Sequence, residues 1–175
     1  CAYGEQQATL VDAIDRQAPD IILLGGDICD DVLPHDNTKV LLQGIADRYV
    51  CYYVTGNHEY WSGEIDDILQ LFRSYGVHIL NGSSDTVDCN GQSVNICGIT
   101  DPDAIRYSNF KKSTEEQLES LKTVAANDNY TVLLAHRPEL IEQYAVYGFD
   151  LVLSGHAHGG QWRIPGLING IYAPN

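Results

Sequence analysis

Five residues that follow apolar segments of the sequence have side chains able to bind metal ions. They are Asp27, Asn57, His136, His156 and His158. Imidazole nitrogens combined with carboxylate or amide oxygens suit borderline divalent cations such as manganese, iron, zinc, cobalt or nickel. The same set is poorly matched to calcium, which prefers oxygen ligands throughout. The residue types therefore predict a divalent-metal site.

Each of these residues also has an ordinary structural interpretation. Asp27 alone could cap a turn or a helix, and Asn57 could be a turn residue. His136 alone could be a hydrogen-bonded core residue at the end of a strand. His156 and His158 are separated by one residue and so point to one side of an extended strand, which suits ligation of adjacent ions. Their occurrence together favours metal binding.

The apolar segments that precede these residues predict buried strands. They cover 20–26, 48–56, 130–136 and 149–156. Continuous apolar runs of this length are typical of strands that are buried on both faces. Ligand sites in α/β sheets lie beyond the carboxyl ends of the strands, so we expect the five side chains to converge there. Gly26, Gly56 and Gly155 allow the tight turns that this convergence needs.

Helical patterns alternate with these strands. Apolar residues recur at helical spacing over 65–72, and Ser113 and Glu116 form a capping box before a further helix. Weaker helical patterns cover about 5–18 and 37–47. The alternation of helices and strands predicts a mixed α/β fold in a single domain, residues 1–175.

The segment 77–99 has a different pattern. Short alternating stretches are interrupted by Asn81-Gly82 and by Asn90-Gly91, and both pairs favour tight hairpin turns. We therefore predict an antiparallel patch in this segment.

The composition limits the classes of partner. Ten basic and 24 acidic side chains give a formal net charge of −14, which repels polyanions, so no nucleic-acid partner is expected. No apolar run approaches the roughly 20 residues that cross a bilayer. The chain is therefore expected to be a soluble domain.

Four motifs, in this order along the chain, resemble successive motifs of the calcineurin-like metallophosphoesterases. They are GGDICD at 25–30, GNHE at 56–59, AH at 135–136 and GHAH at 155–158. The resemblance spans residues 20–161, and the ordered set is far more specific than any one motif. It implies an α/β/β/α sandwich with mixed sheets and a metal site at the carboxyl ends of the central strands.

The resemblance also implies a ligand set for two divalent metal ions. Asp27 would bridge the two ions, and the second ion would be held by Asn57, His136 and His156. His158 would bind the first ion.

A catalytic role is implied for the histidine of the GNHE motif. In this family that histidine approaches the substrate without binding metal, so His58 would protonate the leaving oxygen or stabilise the charge of the transition state. Asp30 is expected to orient His58.

The implied activity is hydrolysis of a phosphate ester or a pyrophosphate bond. Two cations that lie ~3.5–4 Å apart clamp the phosphate and activate a water molecule as a hydroxide nucleophile. A small-molecule or lipid-linked phosphate is the expected substrate. The form GHAHGGQ resembles a bacterial branch whose members often carry membrane segments ahead of the catalytic domain, so we expect membrane association through a segment outside this chain.

One motif of the family does not occur in the 175 residues. Family members begin with an Asp-x-His motif that supplies the remaining ligands of the first metal ion, and they continue with further strands after GHAHGGQ. We therefore expect the sequence to be truncated at both ends. If the protein truly lacks the motif, the alternative is a catalytically inactive metal-binding or scaffold domain on the same fold, since one cation cannot replace a clamped pair.

Three features beside the motifs keep two interpretations each. Arg137 could bind a substrate phosphate, or it could lie on the surface. Asp101 and Asp103 form a turn that could border the site or serve only the structure. Trp61 and Tyr60 could line a pocket wall or pack in the core.

Overall fold

The computed structural model describes residues 4–160, 162–164 and 168–171. In this part of the chain the strands form two main sheets and a separate hairpin. The strands are β1 (Ile21–Leu24), β2 (Val50–Tyr53), β3 (His78–Ile79), β4 (Ser83–Cys89), β5 (Gln92–Gly98), β6 (Tyr130–Leu134), β7 (Leu151–Leu153), β8 (Trp162–Ile164) and β9 (Ile168–Ile171). The first sheet has the order β1-β2-β3 and is parallel. The second has the order β4-β5-β6-β7, in which only the β4–β5 pair is antiparallel.

Helices flank both main sheets. They are α1 (Ala8–Gln17), α2 (Asp36–Ile45), α3 (Asn57–Trp61), α4 (Ile65–Ser74), α5 (Ala104–Tyr107), α6 (Thr114–Ala125) and α7 (Ile141–Ala145). Short 3-10 turns cover Glu5–Gln7 and Pro138–Leu140. Among the helices of the described residues, none has both the length and the apolar character that a membrane span requires.

Alternate side chains of the central strands build the layers of the fold. Tyr52 of β2 packs with Ile96 of the second sheet, between the two sheets. Its neighbour Tyr53 faces the other way, because successive strand residues point to opposite faces, and it packs with Leu42 and Phe72 of α2 and α4. The first sheet is therefore covered by helices on one face and by the second sheet on the other.

The second sheet repeats this arrangement. Leu134 of β6 lies in the core between the sheets, whereas Leu133 packs against Leu118 of α6 and Tyr144 of α7. The layers are thus helix, sheet, sheet and helix, so the predicted α/β/β/α sandwich with mixed sheets is confirmed.

The predicted elements are present, and the strands are shorter than the predicted segments. The four predicted strands are observed as β1, β2, β6 and β7, and the four predicted helices as α1, α2, α4 and α6. The capping box at the start of α6 is also observed: the Glu116 backbone N–H donates to Ser113 Oγ at 3.1 Å, and the Ser113 N–H donates to Glu116 Oε2 at 2.7 Å.

One of the two predicted hairpin turns is wrong. Asn90 and Gly91 join the antiparallel strands β4 and β5 with φ values of 56° and 82°, as a two-residue hairpin turn requires. Asn81 and Gly82 instead connect β3 to β4, which belong to different sheets. Both segments contain the same Asn-Gly pair. Whether such a pair forms a hairpin or a connection between two sheets depends on which strands pair with each other, and the dipeptide does not determine that.

Candidate metal centre

The loops that follow β1, β2, β6 and β7 meet at one edge of the sandwich. They bring together four of the five side chains that the sequence proposes as ligands. We call these four residues the ligand cluster: Asp27, Asn57, His136 and His156. One potential ligand atom from each of Asp27, His136 and His156 lies within 4.8 Å of the others. The carboxyl ends of the strands therefore form the site, as expected for an α/β fold.

His136 is held with its Nε2 atom toward the rest of the ligand cluster. Its Nδ1 lies 2.7 Å from the carbonyl oxygen of Gly25, and only a protonated Nδ1 can donate to that acceptor. In a neutral ring the lone pair is then on Nε2, which lies 3.0 Å from Asp27 Oδ2 and 3.3 Å from Asn57 Oδ1. An Nδ1–H bonded to a backbone carbonyl is the usual support of a metal-ligating histidine.

The ligand cluster fits a cation by its chemistry. Three atoms that carry lone pairs face one another: Nε2 of His136, Oδ2 of Asp27 and Oδ1 of Asn57. They need a proton or a metal ion between them. The Nδ2 atom of Asn57 is buried without a hydrogen-bond partner among the described residues. Buried polar groups normally have hydrogen-bond partners. The Asn57 side chain instead leaves its Nδ2 unpaired within the described part of the chain while its Oδ1 lies toward His136, which indicates that Oδ1 is a ligand atom.

The charges of Asp27 and His136 are coupled. Burial acts to raise the pKa of the Asp27 carboxyl, but the hydrogen bond and the charge of His136 outweigh burial, so the net shift is downward. Burial acts to lower the pKa of His136, but the same contact with Asp27 outweighs it, so the net shift is upward. Burial and then the charge of Arg137 lower the pKa of His156. Asp27 and His136 therefore stabilise each other's charged forms.

Two residues of the ligand cluster have unusual backbone conformations, which set the directions of their side chains. Asp27 has a φ of 54° and His156 a φ of 59°, in the left-handed region that residues with a Cβ rarely adopt. Gly26 is also in this region, with a φ of 88°, and a Cβ on it would lie 2.5 Å from Nδ1 of His136. Strain of this kind persists where the surrounding structure holds it, and it clusters at functional sites.

The other two glycines of the motifs have a different role from the one expected. Gly56 has an extended conformation, with a φ of −107°, and at the β7 end His156 rather than Gly155 has the positive φ. A Cβ on Gly56 would collide with the Asp27 carboxylate, and a Cβ on Gly155 would lie 2.9 Å from the Gly25 carbonyl oxygen. These glycines are therefore required for space, not for the turn.

Glu59 connects the first two motif loops. It is fully buried, at 0% exposure. Its Oε1 accepts hydrogen bonds from the N–H groups of Ile28 and Cys29 at 2.7 and 3.0 Å, and its Oε2 accepts from those of Gly56 and Asp27 at 2.7 and 3.0 Å. Burial raises the pKa of Glu59, and the hydrogen bonds from the N–H groups of Cys29, Gly56 and Asp27 oppose that shift.

The role of Glu59 was missed in the sequence. A signal was available, because Glu59 stands three residues after Gly56 at the start of α3, the position from which a glutamate reaches back to the N-cap N–H. Its hydrogen bonds to the loop after β1 join residues about 30 positions apart in the sequence, so only the tertiary structure reveals them.

His58 lies beside the ligand cluster, and its carboxylate partner differs from the expected one. Its backbone N–H donates to Asp27 Oδ1 at 3.0 Å, and its Nδ1 lies 2.7 Å from Oδ1 of Asp31. The prediction that Asp30 orients His58 is wrong. Asp30 Oδ1 instead accepts from the N–H groups of Val32 and Leu33 at 2.9 and 2.8 Å, so its side chain stabilises its own turn.

Substitution of the two neighbouring aspartates separates these roles. We expect Asp31→Asn to lower the kcat for hydrolysis of an aryl phosphate by about 10-fold, part of the 10²–10⁴-fold that a positioned acid or base contributes, because His58 loses the carboxylate that orients it. Asp30→Asn keeps the Oδ1 that accepts both turn N–H groups, so we expect kcat to be unchanged. Steady-state kinetics of both variants checks this, and equal losses would contradict the assignment to Asp31.

Arg137 lies next to the ligand cluster inside a group of carboxylates. Its Nε and Nη2 atoms lie 2.7 and 3.2 Å from the two carboxylate oxygens of Asp101, whose side chain is fully buried. Nη2 also lies 3.3 Å from Asp103, and Nη1 lies 3.6 Å from Glu139. The remaining contact joins Nη1 to Nε2 of His156 at 3.3 Å. Arg137 is therefore part of the site wall and not a free surface residue.

The family of the chain is decided by comparison with known proteins. The model of the calcineurin-like phosphoesterase family matches residues 4–160, nearly the whole length of the chain. This chain belongs to the calcineurin-like phosphoesterase family.

Two curated relatives agree with this result, and one solved structure shows the same fold. An uncharacterized metallophosphoesterase of Helicobacter pylori is 32% identical over 87% of this chain and 39% of its own length. A second, from Aquifex aeolicus, is 36% identical over 83% of this chain and 53% of its own length. The structure of the NAD nucleotidase of Haemophilus influenzae superposes with a TM-score of 0.62 at 18% identity, over 85% of this chain and 31% of that one, which shows the shared fold. The chain spans about two fifths to half of the length of these curated relatives.

His158 is not in the group of described residues whose ligand atoms converge. Its side chain is exposed and its φ is 48°. Because His156 and His158 both have left-handed backbones, the segment is a tight turn, and the extended alternation that would aim both rings to one side does not apply. Ligation of the first metal ion by His158 stays a prediction. Gln161 of the GHAHGGQ string lies outside the described residues.

Trp61 and Tyr60 have different surroundings. Trp61 is partly exposed, and its Nε1–H donates to Asp103 Oδ2 at 2.7 Å, which ties α3 to the loop that holds Arg137. Tyr60 is buried and lines a cavity of about 680 Å³ between α4 and the segment 106–110. The residues lining this cavity include none of the ligand cluster, so it is separate from the metal centre.

Proposed function

We propose that this domain hydrolyses a phosphate ester or pyrophosphate bond of a small-molecule or lipid-linked substrate, using two divalent cations. The observation that carries the proposal is the arrangement around Nε2 of His136, where lone-pair atoms of Asp27 and Asn57 face one another across a space that only a proton or a cation can bridge. A bound divalent cation supplies charge neutralisation of the phosphate and acidification of a bound water.

The residues of the chain have separate tasks in this proposal. The ligand cluster holds metal. Asp27 Oδ1 also accepts a hydrogen bond from the backbone N–H of His58, so the position of His58 is coupled to that of Asp27. With Nδ1 of His58 bonded to Asp31, its Nε2 is the atom left to donate a proton to the leaving oxygen or to stabilise charge on it. A scaffold that only binds metal has no need of this histidine–carboxylate pair.

The test is metal-dependent hydrolysis by the full-length protein of a matched aryl phosphate monoester and diester. We expect turnover with Mn²⁺ or Zn²⁺ that EDTA removes. His58→Ala is expected to lower kcat by about 10²–10⁴-fold, the usual contribution of a general acid, with the metal stoichiometry unchanged.

A matched control is His78→Ala. His78 is a half-exposed histidine of β3 that pairs with Asp85 outside the site, so its removal should leave kcat unchanged. Stoichiometric metal binding without hydrolysis of either substrate would contradict the proposal and favour the metal-binding scaffold. Equal losses in the two histidine variants would contradict the role of His58.

A further inference from the structure

The orientation of Arg137 is fixed before any ligand binds. The fully buried carboxylate of Asp101 accepts from its Nε and Nη2 atoms in a fork, and Asp103 and Glu139 flank the guanidinium. The side chain is 16% exposed. Its position is therefore set by the loop after β5, and little conformational entropy remains to be lost when it binds an anion.

The contact between Arg137 and His156 conflicts with metal binding by His156. In a neutral ring Nε2 of His156 can accept from Nη1 of Arg137 only if it carries the lone pair. If His156 gives that lone pair to a cation, Nη1 loses its acceptor. If His156 instead binds through Nδ1, the proton moves to Nε2, and two N–H donors face each other. Either mode of ligation removes the hydrogen bond between Nη1 of Arg137 and His156, and only the longer contact of Nη1 with Glu139, at 3.6 Å, remains.

A phosphate oxygen is the acceptor that suits this donor. The guanidinium is anchored on one side by Asp101 and has Nη1 directed toward the ligand cluster, where the proposed substrate binds. Arginine N–H groups pair with phosphate oxygens through short, charge-assisted hydrogen bonds. Carboxylates lie within hydrogen-bond distance of Nε and Nη2, whereas the nearest carboxylate to Nη1, that of Glu139, is 3.6 Å away, so Nη1 is the atom available for exchange.

We propose that Arg137 binds a phosphate oxygen in the metal-loaded site by exchanging His156 for that oxygen, with Asp101 as its positioning residue. This inference rests on the proposed function, since it assigns a phosphate-binding group to the same centre. Arg137 then contributes to affinity for the phosphate group and not to metal binding.

The experiment measures binding of inorganic phosphate to the Mn²⁺-loaded full-length protein by calorimetry, with Mn²⁺ binding measured separately. We expect Arg137→Gln to weaken phosphate binding by about 10–100-fold, the loss of one charged hydrogen bond, while Mn²⁺ affinity is unchanged or tighter. Arg137→Lys keeps the charge but loses the fork, so an intermediate loss is expected. Arg106→Gln, in an exposed arginine of α5 that stacks on Tyr107, is the control and should change neither affinity.

Arg137→Gln leaves the buried carboxylate of Asp101 unpaired, so folding needs its own check. The double variant Arg137→Gln with Asp101→Asn removes both charges, and its phosphate affinity should fall by the same factor. Unchanged phosphate affinity in a folded, metal-loaded variant would overturn the inference. Joint loss of metal and phosphate binding would also overturn it, because Arg137 would then act only on His156.

The binding assay separates this inference from the proposed function. Phosphate binding that depends on Arg137 in a protein that hydrolyses neither aryl substrate would contradict the function and retain the inference. Hydrolysis with phosphate affinity that does not depend on Arg137 would contradict the inference alone.

Discussion

Replacing Asp27 with asparagine is expected to abolish metal-dependent turnover. The variant keeps Oδ1, which accepts the His58 N–H, but it loses the negative charge that lies 3.0 Å from Nε2 of His136. We expect metal affinity to fall by about 100-fold or more, because even partners that only support a ligand typically contribute 10–100-fold. Titration of metal into the purified protein, followed by turnover with either aryl substrate, measures both effects.

The control for this variant is Asp36→Asn, an exposed aspartate at the start of α2 that pairs with Lys39. It makes the same chemical change away from the site and should leave metal binding and turnover intact. Turnover of Asp27→Asn near the level of the unchanged protein would show that Asp27 is not a metal ligand and would remove the basis of the two-metal proposal.

Replacing Glu59 with alanine is expected to cause the largest loss of stability. The change leaves four backbone N–H groups of the two motif loops without their acceptor. The N–H groups of Cys29 and Gly56 are buried, and each buried donor without a partner costs about 1–3 kcal/mol, so we expect a loss of at least about 2 kcal/mol in the free energy of unfolding. That loss is a large fraction of the ~5–15 kcal/mol that stabilises a typical domain. Urea unfolding of the metal-free protein measures it without a contribution from bound ions.

Two comparisons sharpen this prediction. Glu59→Gln retains one side-chain oxygen as an acceptor, so a smaller loss is expected than for alanine. Glu119→Ala removes an exposed glutamate of α6 whose partner is Lys122, and such a surface pair contributes no more than about 1 kcal/mol. A loss for Glu59→Ala as small as that for Glu119→Ala would contradict the structural role of Glu59.

The sequence alone determined most of the architecture. The apolar segments and helical spacings predicted β1, β2, β6, β7 and the main helices, because hydrophobic periodicity is a local property that the fold preserves. In the described part of the chain, β1 and β7 lie at the edges of their sheets, which the segments alone did not indicate. The sequence also placed Asp27, Asn57, His136 and His156 at the ends of those strands. Parallel strands of one sheet end at a common edge, but β1 and β2 lie in the first sheet and β6 and β7 in the second, so the convergence of the four residues depended on how the two sheets pack.

Only the tertiary structure decided which residues contact one another around the site. Asp31 and not Asp30 contacts His58, because the left-handed turn at Asp27 and the local bonds of Asp30 set the directions of these neighbouring side chains. Arg137 is oriented by Asp101, which is distant in the sequence. These contacts join side chains from loops that follow different strands. The distances between those loops are set by the packing of the two sheets, and the order of residue types along the chain does not give them.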